Sequence, residues 1–146
     1  EILEKKGLNA NLLCQDFTNL SQFDDQSFDM VLDRGSITHN RRIDVERAIA
    51  ETYRVLKREG IFLSHIFSAA HSGMQYGVSL GDGSYNSFKG GFFSGHAFVF
   101  FFATEQDIVE LYESRFTTLS KIHNVSREMM NENDDRAMWF LTCQKS

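Results

Sequence analysis

The sequence predicts an α/β fold on three observations. A buried run, an amphipathic helix and a second buried run follow one another with short connections between residues 28 and 68. A second, capped helix follows near residue 104, and two extended runs close the chain as an antiparallel pair. Strand, helix and strand joined this way form a βαβ unit, which places both strands parallel in one sheet. With 146 residues, 42% of them hydrophobic, the chain is expected to form one domain over 1–146, burying roughly two thirds of its unfolded surface.

Element by element, "EILEKKGL" reads as the end of a helix, with Lys5 and Lys6 near the negative end of its dipole and Gly7 as its stop. "NANLLCQDF" reads as a short strand with Asp16 at its end, and "TNLSQFDDQS" as a polar connection. Phe28 to Leu32 form an apolar strand of the kind covered on both faces, with Asp29 serving its local backbone donors. In "DVERAIAETYRVLKREG" the residues Val45, Ala48, Ile49, Thr52, Tyr53 and Leu56 share one helix face, with Asp44 as N-cap and Gly60 at the stop. "IFLSHIFSA" is the next strand.

Residues 69–95 are rich in glycine, serine and aromatics and have no sustained period. A loop of that length suggests a lid or substrate-recognition insertion, with a plain surface insertion as the alternative. Thr104 and Asp107 then have capping-box spacing, and Ile108, Leu111, Tyr112 and Phe116 form the core face of the helix they open. In the closing hairpin, joined by "NENDD", Ala137, Trp139, Leu141 and Cys143 alternate with Met138, Phe140 and Thr142.

Twenty acids against 15 bases give a net charge of -5 without a block of like charge, so no nucleic-acid partner is expected. The longest apolar runs fall short of the roughly 20 residues of a membrane span, so no membrane partner is expected and the chain reads as cytoplasmic. Cys14 and Cys143 lie far apart in apolar runs and read as buried structural thiols. Metal-ligand spacing and a nucleophile elbow are both lacking, and no metal is expected.

In an open α/β sheet, ligands bind outside the carboxyl ends of the strands. Asp16, the loop Asp33-Arg34-Gly35-Ser36 and the stretch from Ser64 to Ser68 all fall on that edge. The order "FDDQSFDMVLDRGSITH", "DVERAIAETYRVLKREGIFLSHIF", a glycine- and aromatic-rich insertion, "FFFATEQDIVELYESRF" and a closing hairpin resembles the second half of a class I S-adenosylmethionine-dependent methyltransferase. The most specific piece is "RVLKREGIFL", in which Arg58 and Glu59 stand where that family usually has two of a proline and two glycines.

The resemblance covers nearly the whole chain. It implies a Rossmann-like, mostly parallel sheet with helices on both faces and S-adenosylmethionine as cofactor. Asp16 would accept from the adenine amino group, Phe17 would lie on the adenine ring, and Asp33, Arg34, Gly35 and Ser36 would pass beneath the sulfonium. An alternative for Asp16 is the cap of a turn.

Methyl transfer needs the nucleophile and the methyl held in line with water excluded. A base is needed only where the acceptor must lose a proton. Asp33 and His39 are the candidates, with His65, His71 and His96 also eligible by position. Tyr76, Tyr85 and His96 are candidates for contacts to the substrate, expected to be a small molecule, although aromatics in a long loop also pin it to the core.

The family's glycine-rich loop and its ribose-binding acid do not precede residue 1, and "GDGSYN" at 81–86 lacks the strand and helix that such a loop needs. The chain therefore reads as the later, N-terminally incomplete part of a methyltransferase domain. "NLLCQD" would have to pair with "FDMVL", borrow strands from another copy, or stay poorly held. A second reading is a non-catalytic module that associates with another chain, including its own copy, through an exposed sheet edge. A nucleotide-dependent dehydrogenase is a weaker third, since its fingerprint is also absent.

Overall fold

The computed structural model describes residues 2–127 and 135–146. Helix α1 (Ile2–Lys5) ends as its sequence predicts. Gly7 takes the left-handed conformation (φ 64°), and the N–H groups of Gly7 and Leu8 bond back to Glu4 and Leu3 at 2.9 Å each. This is the paired closure that glycine permits after a helix.

Residues 8–16 form no strand and are exposed, which corrects the expectation for "NLLCQD". A strand needs an edge to pair with, and no described strand lies beside this segment. Cys14 is accordingly exposed, whereas Cys143 is buried and its thiol is pushed up to about 11 by burial.

The connection that follows is clamped to helix α2 (Arg42–Val55). Arg54 donates to the carbonyls of Leu20 and Phe23 and to Glu51 and Asp25, and Glu51 accepts from Leu20 N at 2.7 Å. The N–H groups of Gln26 and Ser27 reach the carbonyls of Arg54 and Val55, two of the acceptors a helix end leaves open.

Strand β1 (Phe28–Arg34) pairs parallel with β2 (Leu56–Phe67), completing the βαβ unit around α2. α2 starts earlier than Asp44. Its N-cap is Arg41, without a side-chain cap, and Arg42 N donates to Ser84 Oγ at 3.0 Å. A distant serine thus does the work assigned to Asp44, which sits in the first turn and pairs with Arg47 at 3.0 Å. Asp29 is also used differently, in an exposed ion pair with Lys57 at 2.8 Å.

Helix α2 ends at Val55, so Gly60 is not its stop. A Cβ at Gly60 would stand 2.8 Å from the Lys57 carbonyl oxygen and 3.2 Å from that of Asp29, so glycine is required there by close backbone approach. The left-handed residue of this turn is Glu59, at φ 63°.

Between β2 and the next helix the insertion builds a small sheet from β3 (Val78–Ser79), β4 (Ser84–Asn86) and β5 (Phe100–Phe101). It has its own aromatic core of Phe88, Phe93, Phe100 and Phe102. Short helix α3 (Glu105–Ile108) opens with the reciprocal Thr104–Asp107 capping box and continues as a π turn over Val109–Glu113. Its expected core face, Ile108, Leu111, Tyr112 and Phe116, is buried.

Strands β6 (Thr117–Arg127) and β7 (Asp135–Gln144) pair antiparallel, as the alternation predicts. The "NENDD" connection lies outside the described residues apart from Asp135. β7 also pairs antiparallel with β2, giving the order β1-β2-β7-β6, with the parallel ladder formed by β1 and β2.

The α/β, Rossmann-like class therefore holds, and among the described residues the helices cover one face. Val45 and Ile49 of α2 and Tyr112 and Phe116 after α3 enclose Phe62, Ile66, Trp139 and Leu141 in one core. On the other face Met30 and Leu32 are 56% and 61% exposed, since α1, at four residues, has no buried residue and supplies no cover. No described helix is long and apolar enough to cross a membrane.

Candidate active site

The carboxyl end of β1 delivers Asp33 into the interior, 5% exposed. Its Oδ1 accepts from Ser36 N at 2.8 Å, Ser36 Oγ at 2.5 Å and Ile37 N at 3.2 Å. Its Oδ2 accepts from Ser64 Oγ at 3.3 Å, and Ser64 Oγ in turn lies 2.9 Å from the Tyr112 hydroxyl. Tyr112 is fully buried, and desolvation raises its pKa far above that of an ordinary phenol, so it stays protonated and available as a donor. A carboxylate with this many donors is a brace for the loop that follows.

Thr38 fixes the other end of that loop. Its Oγ1 donates to the Phe101 carbonyl at 2.7 Å and accepts from Phe67 N at 3.3 Å, while Phe101 N donates to the Thr38 carbonyl at 2.8 Å. Gly35, at φ 79°, supplies the left-handed residue that turns the chain between the two anchors. Residues 33–39 are therefore held by β2, β5 and the π turn at once.

Two cavities flank this loop. The first, about 210 Å³, is lined by Phe17, Leu20, Val31, Leu32, Asp33, Ser36, Ile37, Ala48 and Thr52. It brings three expected site residues, Phe17, Asp33 and Ser36, to one apolar hollow suited to a flat ring. Asp16 is exposed beside it, with its Oδ1 accepting from Thr18 N at 2.9 Å and Thr18 Oγ1 at 2.8 Å. These bonds, the backbone one foremost, hold its carboxyl below the usual range. Arg34 is exposed at the end of β1, opposite His65 in the ladder.

The second cavity, about 510 Å³, is walled by Phe67, Phe92, Phe93, Phe98 and Phe100 with His39 and His96. The His39 ring meets the Phe100 ring edge-on, with centroids 4.8 Å apart. Burial draws its pKa below the ordinary histidine value, and the Asp33 charge pulls back only in part, so at neutral pH the imidazole is uncharged.

Of the three expected substrate residues, His96 lines this cavity and the two tyrosines do not. Tyr76 is packed under Gly90 and Gly91, where a Cβ would come within 2.9 Å and 2.5 Å of its ring, and Tyr85 packs edge-on against Phe102. Both pin the insertion to itself. His65 packs against Phe140 on the sheet, and His71 is buried among Phe67, Phe93 and Phe102 with its Nδ1 accepting from Gly73 N. Neither is among the residues lining these two cavities. Sequence reading missed the phenylalanine walls, although 14 phenylalanines, several inside "GGFFSGHAFVFFF", were the available signal.

A family model described as "Methyltransferase domain" matches residues 1–64. A SAM-dependent methyltransferase from Methanosarcina mazei superposes with a TM-score of 0.70 at 20% identity, over 90% of this chain and 65% of its own. The chain has the class I S-adenosylmethionine-dependent methyltransferase fold.

Two further methyltransferases agree. The 1,6-didemethyltoxoflavin-N1-methyltransferase of Burkholderia thailandensis, with bound 1,6-didemethyltoxoflavin and S-adenosylhomocysteine, gives a TM-score of 0.67 at 17% identity over 99% of this chain and 55% of its own. A S-adenosylmethionine-dependent methyltransferase from Clostridium acetobutylicum gives 0.63 at 18% identity over 96% and 67%. The chain thus spans between about half and two thirds of the length of these methyltransferases. No curated protein matches its sequence closely enough to count as a relative.

Proposed function

We propose that this chain carries the adenine edge and the acceptor side of an S-adenosylmethionine-dependent methyltransferase acting on a small molecule. The observation that supports this best is the loop 33–39, which lends Asp33, Ser36 and Ile37 to one cavity and His39 to the other. A braced loop with a site on each side suits a reaction in which two reactants must be held in line.

The first cavity fits the base end of the cofactor. Phe17, Leu20, Val31 and Ile37 offer apolar contact to adenine, and Asp16 accepts from its amino group through the oxygen that Thr18 does not use. At about 210 Å³ it is smaller than the roughly 300–1,000 Å³ of a site for a whole drug-sized ligand, so these residues account for that end only. When bound, the cofactor supplies a methyl on a sulfonium, whose carbon–sulfur bond breaks with its electron pair left on sulfur as the acceptor's lone pair takes the methyl.

Asp33 positions the loop. His39, uncharged at neutral pH, takes the acceptor's proton and passes it to solvent. The insertion at 69–95, with Phe100–Phe102 completing its small sheet and aromatic core, forms the wall that keeps water from the acceptor side. The didemethyltoxoflavin named for the Burkholderia protein is a small molecule, which agrees with this scale of acceptor.

Calorimetric titration with S-adenosylhomocysteine tests the reading. Binding that Phe17→Ala and Asp16→Ala each weaken by roughly tenfold is expected, from one lost stacking surface or one lost charge-assisted hydrogen bond. Binding unchanged by both variants would remove the first cavity from the cofactor site. A second reading, a non-catalytic module or homo-oligomer joined through its sheet edge, is favoured by β1 standing at the edge of the sheet among the described residues and by the exposed Met30 and Leu32. It predicts self-association in sedimentation that Leu32→Lys abolishes, with no cofactor binding.

A further inference from the structure

The composition of the second cavity restricts what it can hold. Five phenylalanine rings and two imidazoles line it, and among the described residues no carboxylate, guanidinium or ammonium group does. Burying a charged ligand there would leave the charge without a partner, which is costly. Asp33 is spent on Ser36, Ile37 and Ser64 and faces the other cavity. Arg136, at the Phe92 side, has its guanidinium carbon 4.6 Å above that ring, where it is stacked.

The rings are also set for arene contact. Phe93 and Phe100 stack at 4.4 Å, Phe67 meets Phe93 edge-on at 5.3 Å, and His39 meets Phe100 edge-on at 4.8 Å. These contacts hold the inner walls in place before a ligand arrives. Phe92 and Phe98 are 47% and 64% exposed on the cavity and would be covered by one. Faces and edges presented together favour a planar aromatic guest over a saturated one of the same size, because only the arene completes the edge-to-face geometry. The polar handles among these lining residues are His39 and His96, and the uncharged His39 accepts a hydrogen bond from an N–H or O–H.

We infer that the cavity takes an uncharged planar aromatic molecule bearing one N–H or O–H, a phenol or an N–H heteroarene, with that group directed at His39. This names the acceptor class and rests on the methyl-transfer reading for its role, while binding itself does not require the cofactor.

The test is titration of the whole chain, without cofactor, with 2-naphthol, 2-naphthoate and trans-2-decalol, followed by calorimetry and by the His39 imidazole signals in NMR. 2-Naphthol is expected to bind at least tenfold more tightly than either of the others and to shift His39. Phe98→Ala, at an exposed position that leaves the core intact, is expected to weaken 2-naphthol by roughly threefold to tenfold.

Equal binding of decalol would overturn the aromatic preference, and equal binding of naphthoate would overturn the preference for an uncharged guest. Absent 2-naphthol binding, or binding indifferent to Phe98→Ala, would overturn the site. A parallel titration with S-adenosylhomocysteine separates the two readings. Naphthol binding without S-adenosylhomocysteine binding would remove the cofactor site from this chain and keep the aromatic site, and the reverse would remove the aromatic site alone.

Discussion

Replacing Asp33 by alanine tests whether this carboxylate is a brace. The change removes the acceptor for Ser36 N at 2.8 Å and Ile37 N at 3.2 Å, and for the hydroxyls of Ser36 and Ser64. The hydroxyls can turn elsewhere, since Ser64 keeps Tyr112 and Ser36 is exposed. The backbone N–H groups cannot turn, and Ile37 is buried, so its N–H loses its partner away from water. One buried donor left unsatisfied and one weakened bond to a charged group together cost about 2–4 kcal/mol.

With a urea slope of about 1.5 kcal/mol/M, that is a fall of about 1.3–2.7 M in the unfolding midpoint. Asp33→Asn keeps an oxygen for both N–H groups and turns its amide to Ser64, so a fall of about 1 kcal/mol is expected. Equilibrium urea unfolding followed by circular dichroism measures both. A loss below about 0.5 kcal/mol for Asp33→Ala would refute the bracing argument and return Asp33 to the candidates for direct chemistry.

Neighbouring residues near the start of β2 should respond with opposite sign. Glu59→Gly relieves a left-handed side chain and should stabilise by about 1 kcal/mol, whereas Gly60→Ala drives a Cβ into the Lys57 carbonyl and should lower the melting temperature. Thr104→Ala removes one half of the capping box and should cost about 1 kcal/mol in urea unfolding. His39 should titrate in NMR below the ordinary value of about 6.5. Because its folded pKa is depressed, its contribution to stability is present above that value and is lost as pH falls through the folded pKa. His39→Gln should flatten that part of the stability profile.

What could be read from the sequence was short-range. Gly7 closing α1, the Thr104–Asp107 capping box, the core residues Val45, Ala48, Ile49 and Thr52 of α2 and the alternation of β7 depend on neighbours within a few residues, and each stands where its pattern put it, whereas Leu56 falls beyond the helix as the first residue of β2. The misreadings share the opposite property. "NLLCQD" has a strand's composition but no described edge to pair with. The start of α2 is set by Ser84, 42 residues away. Gly60 answers to the Lys57 carbonyl and to the Asp29 carbonyl on β1, not to the helix it follows.

The site divides in the same way. The resemblance picked out Phe17, Asp33 and Ser36, and position along the chain picked out His39, while their grouping on two sides of one loop depends on the fold. That Asp33 is a brace follows from Ser64 and Tyr112, and that Tyr76 and Tyr85 pack internally follows from Gly90, Gly91 and Phe102.

In the proposed site the loop 33–39 separates a cofactor-base cavity from an acceptor cavity. The most direct test is amide-shift mapping of the labelled chain with S-adenosylhomocysteine and, separately, with 2-naphthol. The first is expected to perturb Phe17, Ser36 and Ile37 and the second Phe93, Phe98 and Phe100, with the two sets meeting only within the loop. Both ligands shifting one common set, or neither shifting these residues, would contradict it.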